Sequence, residues 1–215
     1  QGGNNAGHTV VNDYGTFKLH QLPSGIFNPN CVAVLGPGMV ISPEKLSVEI
    51  AEVQAAGIEV KLCISDRATL CLPLHALEDT LEEQRLGDLA YGSTRQGIAP
   101  AYGDRVMKKG ILVGWLNQPE VLQERIQFML DWKLPQLKAL YPSCDFNQTA
   151  AEMTAWLLEV TAPWRPFICN VTEPLKALQK QDASLLFEAQ LGAGRDLVYG
   201  EYPYTTSSNV TAAYA

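Results

Sequence analysis

The 215 residues, 47% of them hydrophobic, suffice for one sizeable core, and a formal net charge of −7 speaks against a nucleic-acid-coating or membrane-surface protein. No apolar run approaches the roughly 20 residues needed to span a bilayer, so a soluble chain is expected. The five cysteines, Cys31, Cys63, Cys71, Cys144 and Cys169, are odd in number and include no Cys-x-x-Cys pair, which favours core packing in a reducing cytoplasm over a disulfide frame or zinc site.

The chain opens with QGGNNAGHT, Gln1 to Thr9, three glycines, two asparagines and a histidine in one turn-prone loop. Glycine lets a ligand approach the backbone, while asparagine and histidine supply short polar groups that can meet a phosphate, a base edge or a metal-bound oxygen. An arbitrary loop of this composition is more often a solvated turn. Thr9–Val11 and Thr16–Leu19 are β-rich runs joined by Asn12-Asp13-Tyr14-Gly15 and predict a hairpin. Leu22-Pro23-Ser24-Gly25 forces a further turn. Cys31–Leu35, CVAVL, predicts a buried strand that empties into Gly36-Pro37-Gly38.

Ser42, Pro43 and Glu44 mark a helix start, with Leu46, Ile50 and Val53 on one face and Gly57 as the stop. Val60–Ile64 then predicts a second buried strand, completing a βαβ unit of a parallel sheet. His75–Gly87 reads as a surface helix with Leu77 and Leu81 inward, and His75 as a structural, hydrogen-bonded histidine. Pro119–Trp132 predicts an amphipathic helix packed through Val121, Leu122, Ile126, Met129 and Leu130 and ended near Pro135. Thr149 and Glu152 form a capping-box pattern ahead of Met153, Trp156, Leu157 and Val160. Ser184–Phe187 predicts a last buried strand whose exit, Glu188 to Gly192, lies where open α/β sheets bind ligands. With no repeat and no linker, the expectation is a single α/β unit over residues 1–215, carrying an inserted helical portion at about 115–180.

Two further loops, GSTRQGIAPAY at 92–102 and YGEYPYTTSSN at 199–209, combine glycine and hydroxyls as a phosphate site on an α/β sheet requires. Together QGGNNAGHTVV, FKLHQLPSGI, GSTRQGIAPAYGDR and YGEYPYTTSSN resemble adenylosuccinate synthetase in order and approximate spacing, over nearly the whole chain but about half of a family member. The resemblance implies a P-loop-NTPase-like, mostly parallel sheet flanked by helices. It also implies a GTP-dependent ligase that joins IMP and L-aspartate in purine nucleotide biosynthesis, with Mg²⁺, as a cytoplasmic homodimer. The 6-oxygen of IMP is a poor leaving group, and the family phosphorylates it with GTP before the aspartate amine displaces phosphate.

Residue by residue, the resemblance makes His8 the catalytic acid, Gly7 the backbone-carbonyl ligand of Mg²⁺, and Asn5, Thr94 and Thr206 contacts of IMP. Lys108 stands where the family has the arginine that reaches the IMP phosphate across the dimer, keeping charge but losing bidentate geometry. Gln190 matches the IMP-contacting glutamine but stands one residue early. Arg95 and Gln96 replace a Gly-Arg pair, and Arg195 stands where leucine is common. The glycine-rich loop with the aspartate base, the arginine-rich loop that grips aspartate and the guanine-recognition elements are not in these residues, so the 215-residue piece alone is expected to be inactive. Two other readings stay open: the phage relative that uses a deoxyguanylate, and a non-catalytic nucleotide-binding module.

Overall fold

The computed structural model describes residues 2–214; Gln1, the first residue of the opening motif, lies outside them. Two strands open the chain, β1 (His8–Asn12) and β2 (Gly15–Leu19), and pair antiparallel with His8 opposite Leu19. The Asn12 side chain accepts from Tyr14 N–H at 2.9 Å, so the expected turn chemistry is what closes the hairpin.

The centre is a parallel sheet of order β3-β5-β7, with β3 at Ala33–Leu35, β5 at Leu62–Ser65 and β7 at Ile168–Cys169. Two further two-residue strands, β4 (Val40–Ile41) and β6 (Thr69–Leu70), pair parallel beside it. Helix α1 (Pro43–Ala55) supplies the crossover from β3 to β5 and buries Leu46, Ile50 and Val53, as its spacing predicts. Ser42 sits at the N-cap position but does not cap through its hydroxyl. Its backbone instead pairs with the Gln21 amide, accepting at 3.1 Å and donating at 2.8 Å. Trp164 is wholly buried and donates from its indole to Ser47 Oγ at 2.9 Å, which ties α1 to a segment more than a hundred residues further along the chain.

Helix α2 spans Pro73–Leu86 and α3 spans Ile98–Val106. The sequence reading did not anticipate α3, because Pro100 looks like a breaker. It falls in the first turn, where an N–H has no intrahelical partner to lose. Helix α4 (Pro119–Leu140) corrects the expected stop near Pro135 by running straight through it. The reason is tertiary: α4 packs on α5 (Ala150–Val160), and Leu130, Leu137, Met153 and Leu157 share one buried core, which outweighs the roughly 3 kcal/mol that an interior proline costs. The Thr149–Glu152 capping box forms as expected, with Glu152 N–H donating to Thr149 Oγ1 at 3.2 Å.

The expected buried strand at Ser184–Phe187 does not form. Leu186 is 91% exposed and Phe187 66% exposed, with no strand partner among the described residues, because β7, not this run, takes the place beside β5. Helix α6 (Thr172–Lys180) precedes that run. All five cysteines are free, as their spacing suggested.

Candidate active site

The opening loop is fastened at the carboxyl end of β3, the edge at which open α/β sheets present ligand sites. Val40 N–H donates to Gly2 O at 2.9 Å, and the Tyr102 hydroxyl of α3 lies 2.8 Å from Gly38 O and 3.2 Å from Gly2 O. Burial pushes the Tyr102 phenol up to about 12, so it stays a neutral clamp.

Gln190 arrives from the far end of the chain and settles on the same loop. Its Oε1 accepts from Gly3 N–H at 2.8 Å, while its Nε2 donates to Gly3 O and to His20 O, the latter at 3.0 Å. The Gln190 amide is therefore docked on backbone rather than pointing into open space. Both donors of the amide are engaged there.

Asn5 Nδ2 meets Thr206 Oγ1 at 3.3 Å, although the two residues are 201 positions apart. Asn5 Oδ1 is buried without a hydrogen-bond partner among the described residues, as is Asn4 Oδ1. His8 opens β1, and its Nε2 is also buried and unpartnered, 3.7 Å from Glu188 Oε1. Glu188 is itself held by Ser24 N–H at 3.1 Å. Gly7, next to His8, lies against His20, and a Cβ there would stand 2.9 Å from His20 Nε2. Only glycine fits this approach without displacing the imidazole.

The loop 92–97 is held by α2. Asp79 accepts from Ser93 Oγ at 2.6 Å and from Gly97 N–H at 2.9 Å, and the Cys71 thiol donates to Gln96 O at 3.2 Å. Burial pushes that thiol up to about 12, which keeps it protonated as a donor. Gly97, at φ +76°, starts α3 so close to α2 that a Cβ would lie 2.5 Å from Ala76 N. Thr94 is exposed on this loop beside Gln96. Lys108 lies past the other end of α3, about 14 Å along its axis from the loop, exposed and at φ +64°. Within one chain it is not brought to the other candidates.

The loop 195–211 is wrapped around the fully buried Asp196, whose carboxylate accepts from Val198, Tyr199 and Val210 N–H at 2.9, 3.0 and 2.6 Å. Burial raises its pKa, but the backbone donors outweigh that and hold the carboxyl below the usual aspartate range. Thr206 N–H donates to Arg195 O at 2.8 Å, and the Arg195 guanidinium donates to Tyr204 O. Arg195 is thus a brace within this loop.

The adenylosuccinate synthetase family model matches residues 1–215. The chain belongs to the adenylosuccinate synthetase family. It is 90% identical over its whole length to adenylosuccinate synthetase 2 of Pseudoalteromonas translucida, of which it spans 51%. It superposes on the fully ligated adenylosuccinate synthetase of Plasmodium falciparum with a TM-score of 0.82 and 27% identity, over 99% of this chain and 49% of that one. The cyanophage S-2L succinoaminodeoxyadenylate synthetase bound to dGMP and dATP shares the fold, at TM-score 0.61 and 24% identity over 100% of this chain and 50% of that one. The chain thus spans about half the length of the relatives it matches, and within that half the fold is the family's parallel sheet flanked by helices.

His20, Glu49 and Asp79 were not singled out from the sequence, yet each shapes the site. Glu49 of α1, 4% exposed, accepts from the N–H groups of His20, Gln21 and Leu22 at 2.8, 3.1 and 3.0 Å. An acid on the buried face of α1, four residues from Lys45 and one before Ile50, was the available signal.

Proposed function

We propose that the full-length protein carrying this chain joins IMP and L-aspartate at the expense of GTP, through a 6-phosphoryl intermediate. The observation that carries the reading is the meeting of Asn5 with Thr206, together with a buried His8 Nε2 that makes no hydrogen bond among the described residues, within a chain that belongs to this ligase family. Buried polar atoms without partners are costly, about 1–3 kcal/mol each, so Asn4 Oδ1, Asn5 Oδ1 and His8 Nε2 together mark a place shaped for a polar ligand.

In this reading Asn5 and Thr206 hold the nucleotide as neutral donors, and Thr94 contributes a second hydroxyl to its phosphate. His8 Nε2 gives a proton or hydrogen bond to the oxygen that accumulates charge as phosphate is transferred, and the Glu188 carboxylate lies 3.7 Å from that same nitrogen. Gln190 supports IMP through the loop backbone it fastens. Lys108 serves the phosphate of the partner subunit's nucleotide in a homodimer, which its distance from its own site requires.

For Mg²⁺, no cluster of three or more His, Cys, Asp or Glu side chains that could hold a metal occurs among the described residues, and the resemblance points to a backbone ligand in this half. The Gly7 carbonyl fits that role: the residue is exposed and no hydrogen bond from the described residues ends on its oxygen. When bound, the cation shields phosphate charge during transfer. Among the described residues no helix is long and apolar enough to cross a membrane, and the reading places the enzyme in the cytoplasm.

The test is adenylosuccinate formation by the full-length protein supplied with IMP, GTP, Mg²⁺ and aspartate, with dGMP offered in parallel. Ligation of IMP supports the reading. Ligation of dGMP alone would move the protein to the phage-type reaction, and saturable IMP binding without product would leave a nucleotide-binding module.

A further inference from the structure

Lys45 is the third residue of α1, where a cation opposes the positive end of the helix dipole. It is half-buried, and among the described residues no carboxylate lies within ion-pair distance of its ammonium. Glu49, one turn further along, is committed to three backbone N–H groups, and Asp79 to Ser93 and Gly97. Lys45 Nζ instead donates to Gln96 Oε1. That oxygen also accepts from Asn4 Nδ2 at 3.3 Å, and the other end of the amide, Nε2, donates to Thr94 O at 3.1 Å. An ammonium is a donor only, so Lys45 dictates which way the Gln96 amide faces and hence that Nε2 is the group left for Thr94.

We propose that Lys45 is a positioning residue of the nucleotide-phosphate site, acting through Gln96 on Thr94 and bringing the unneutralised positive charge that a dianionic monophosphate requires. The inference rests on the ligase reading above. A residue set against the helix dipole, without a counter-ion and beside the buried, unpartnered Asn4 Oδ1, breaks local rules in the way that functional positions do. Its ligand class is a nucleoside 5′-monophosphate: the charge supplied is single, and the loop it organises adds a hydroxyl and the start of α3. The structure places the α1 cation directly on the Gln96 amide.

The experiment uses the full-length enzyme and its Lys45→Met, Lys45→Arg and Gln96→Met variants. Loss of a charge-assisted contact predicts that Lys45→Met raises KM for IMP about tenfold to a hundredfold with kcat near wild type, while KM for GTP and for aspartate stays unchanged. Lys45→Arg should recover most of the loss. The double variant should fall short of the sum of the two single effects, because part of what Lys45 does passes through the Gln96 amide. An unchanged KM for IMP, a fall in kcat alone, or additive effects would each overturn the proposal. If wild-type enzyme fails to ligate IMP, the ligase reading falls on its own. Equilibrium titration of IMP against wild type and Lys45→Met then decides Lys45, and equal affinity overturns it. Should Lys45→Met fold poorly by thermal melt, Gln96→Met carries the same KM prediction.

Discussion

Gly97→Ala tests whether the loop 92–97 is set by its contact with α2. Gly97 adopts φ +76°, and an added Cβ would stand 2.5 Å from Ala76 N, 2.6 Å from His75 C and 2.8 Å from His75 Cβ. Two of these are backbone atoms of α2 and cannot rotate away. The left-handed conformation costs about 1–2 kcal/mol for an L-residue, and overpacking against rigid neighbours about 1–3 kcal/mol. A total near 2–5 kcal/mol is expected. The cheapest relief is for α3 to retreat from α2, which lengthens the 2.9 Å bond from Gly97 N–H to Asp79 and releases Ser93 and Thr94. The denaturation midpoint of the full-length protein should fall and KM for IMP should rise together. Gly103, in the middle of the same helix, has nothing within 4 Å of its Cβ position, so Gly103→Ala should be neutral or stabilising by up to about 1 kcal/mol. A Gly97→Ala protein with unchanged midpoint and unchanged KM would refute the packing argument.

His8→Ala should lower kcat by about 10²–10⁴ while IMP affinity, read by titration, holds within a few-fold. Asp104→Asn should destabilise by about 1–3 kcal/mol in urea unfolding, because it removes the carboxylate that meets buried Lys133 at 2.8 Å and His75 at 3.1 Å and leaves Glu78, 2.6 Å away, as the ammonium's remaining ion-pair partner among the described residues. Burial raises the Asp104 pKa, but His75 and Lys133 outweigh it and hold the carboxyl below its usual range. Its contribution to stability is therefore complete above the unfolded-chain value of about 4 and is lost as pH falls through the lower folded value. Asp104→Asn should consequently lie furthest below wild type above about pH 4 and converge on it as pH falls through the acid limb. Lys108→Ala should raise KM for IMP only under conditions where the enzyme is dimeric, which dilution series by light scattering and kinetics would reveal.

Much of the architecture was legible because local signals agreed. The Asn12-Asp13-Tyr14-Gly15 turn, the Pro43 helix start and the Thr149–Glu152 box each rest on chemistry within four residues, and each appears where expected. The failures are equally physical. Leu185, Leu186 and Phe187 read as a buried strand because an apolar run carries no information about what covers it. Pro135 read as a stop because the cost of a proline is local while the burial of Leu137 that offsets it is not. Two-residue strands such as β4 and β6 lie below any periodic signal. Motif matching singled out His8, Gly7, Asn5, Thr206 and Gln190, of which the structure joins Asn5 to Thr206 and docks Gln190 on the backbone of Gly3 and His20, but it said nothing of the groups that hold those segments still.

Those groups share one device. Glu49 captures the N–H groups of residues 20–22, Asp79 captures Ser93 and Gly97, and Asp196 captures the N–H groups of Val198, Tyr199 and Val210. Each acid is buried, each serves a different loop, and each meets its charge with backbone or hydroxyl donors rather than with a lysine or arginine. Charge-assisted hydrogen bonds are about twice as strong as neutral ones, so a single carboxylate can order a loop that has little apolar area to bury. Spending donors this way leaves Lys45 and the Asn5 amide oxygen uncommitted at the centre, where an anionic, polar ligand has to find its partners. In these three loops negative charge is therefore used to order the backbone, while Lys45 is left without a carboxylate partner among the described residues. That division implies that isosteric Asp79→Asn should loosen the loop and weaken IMP binding, whereas an acid introduced at Gln96 should neutralise Lys45 and weaken binding with the loop intact.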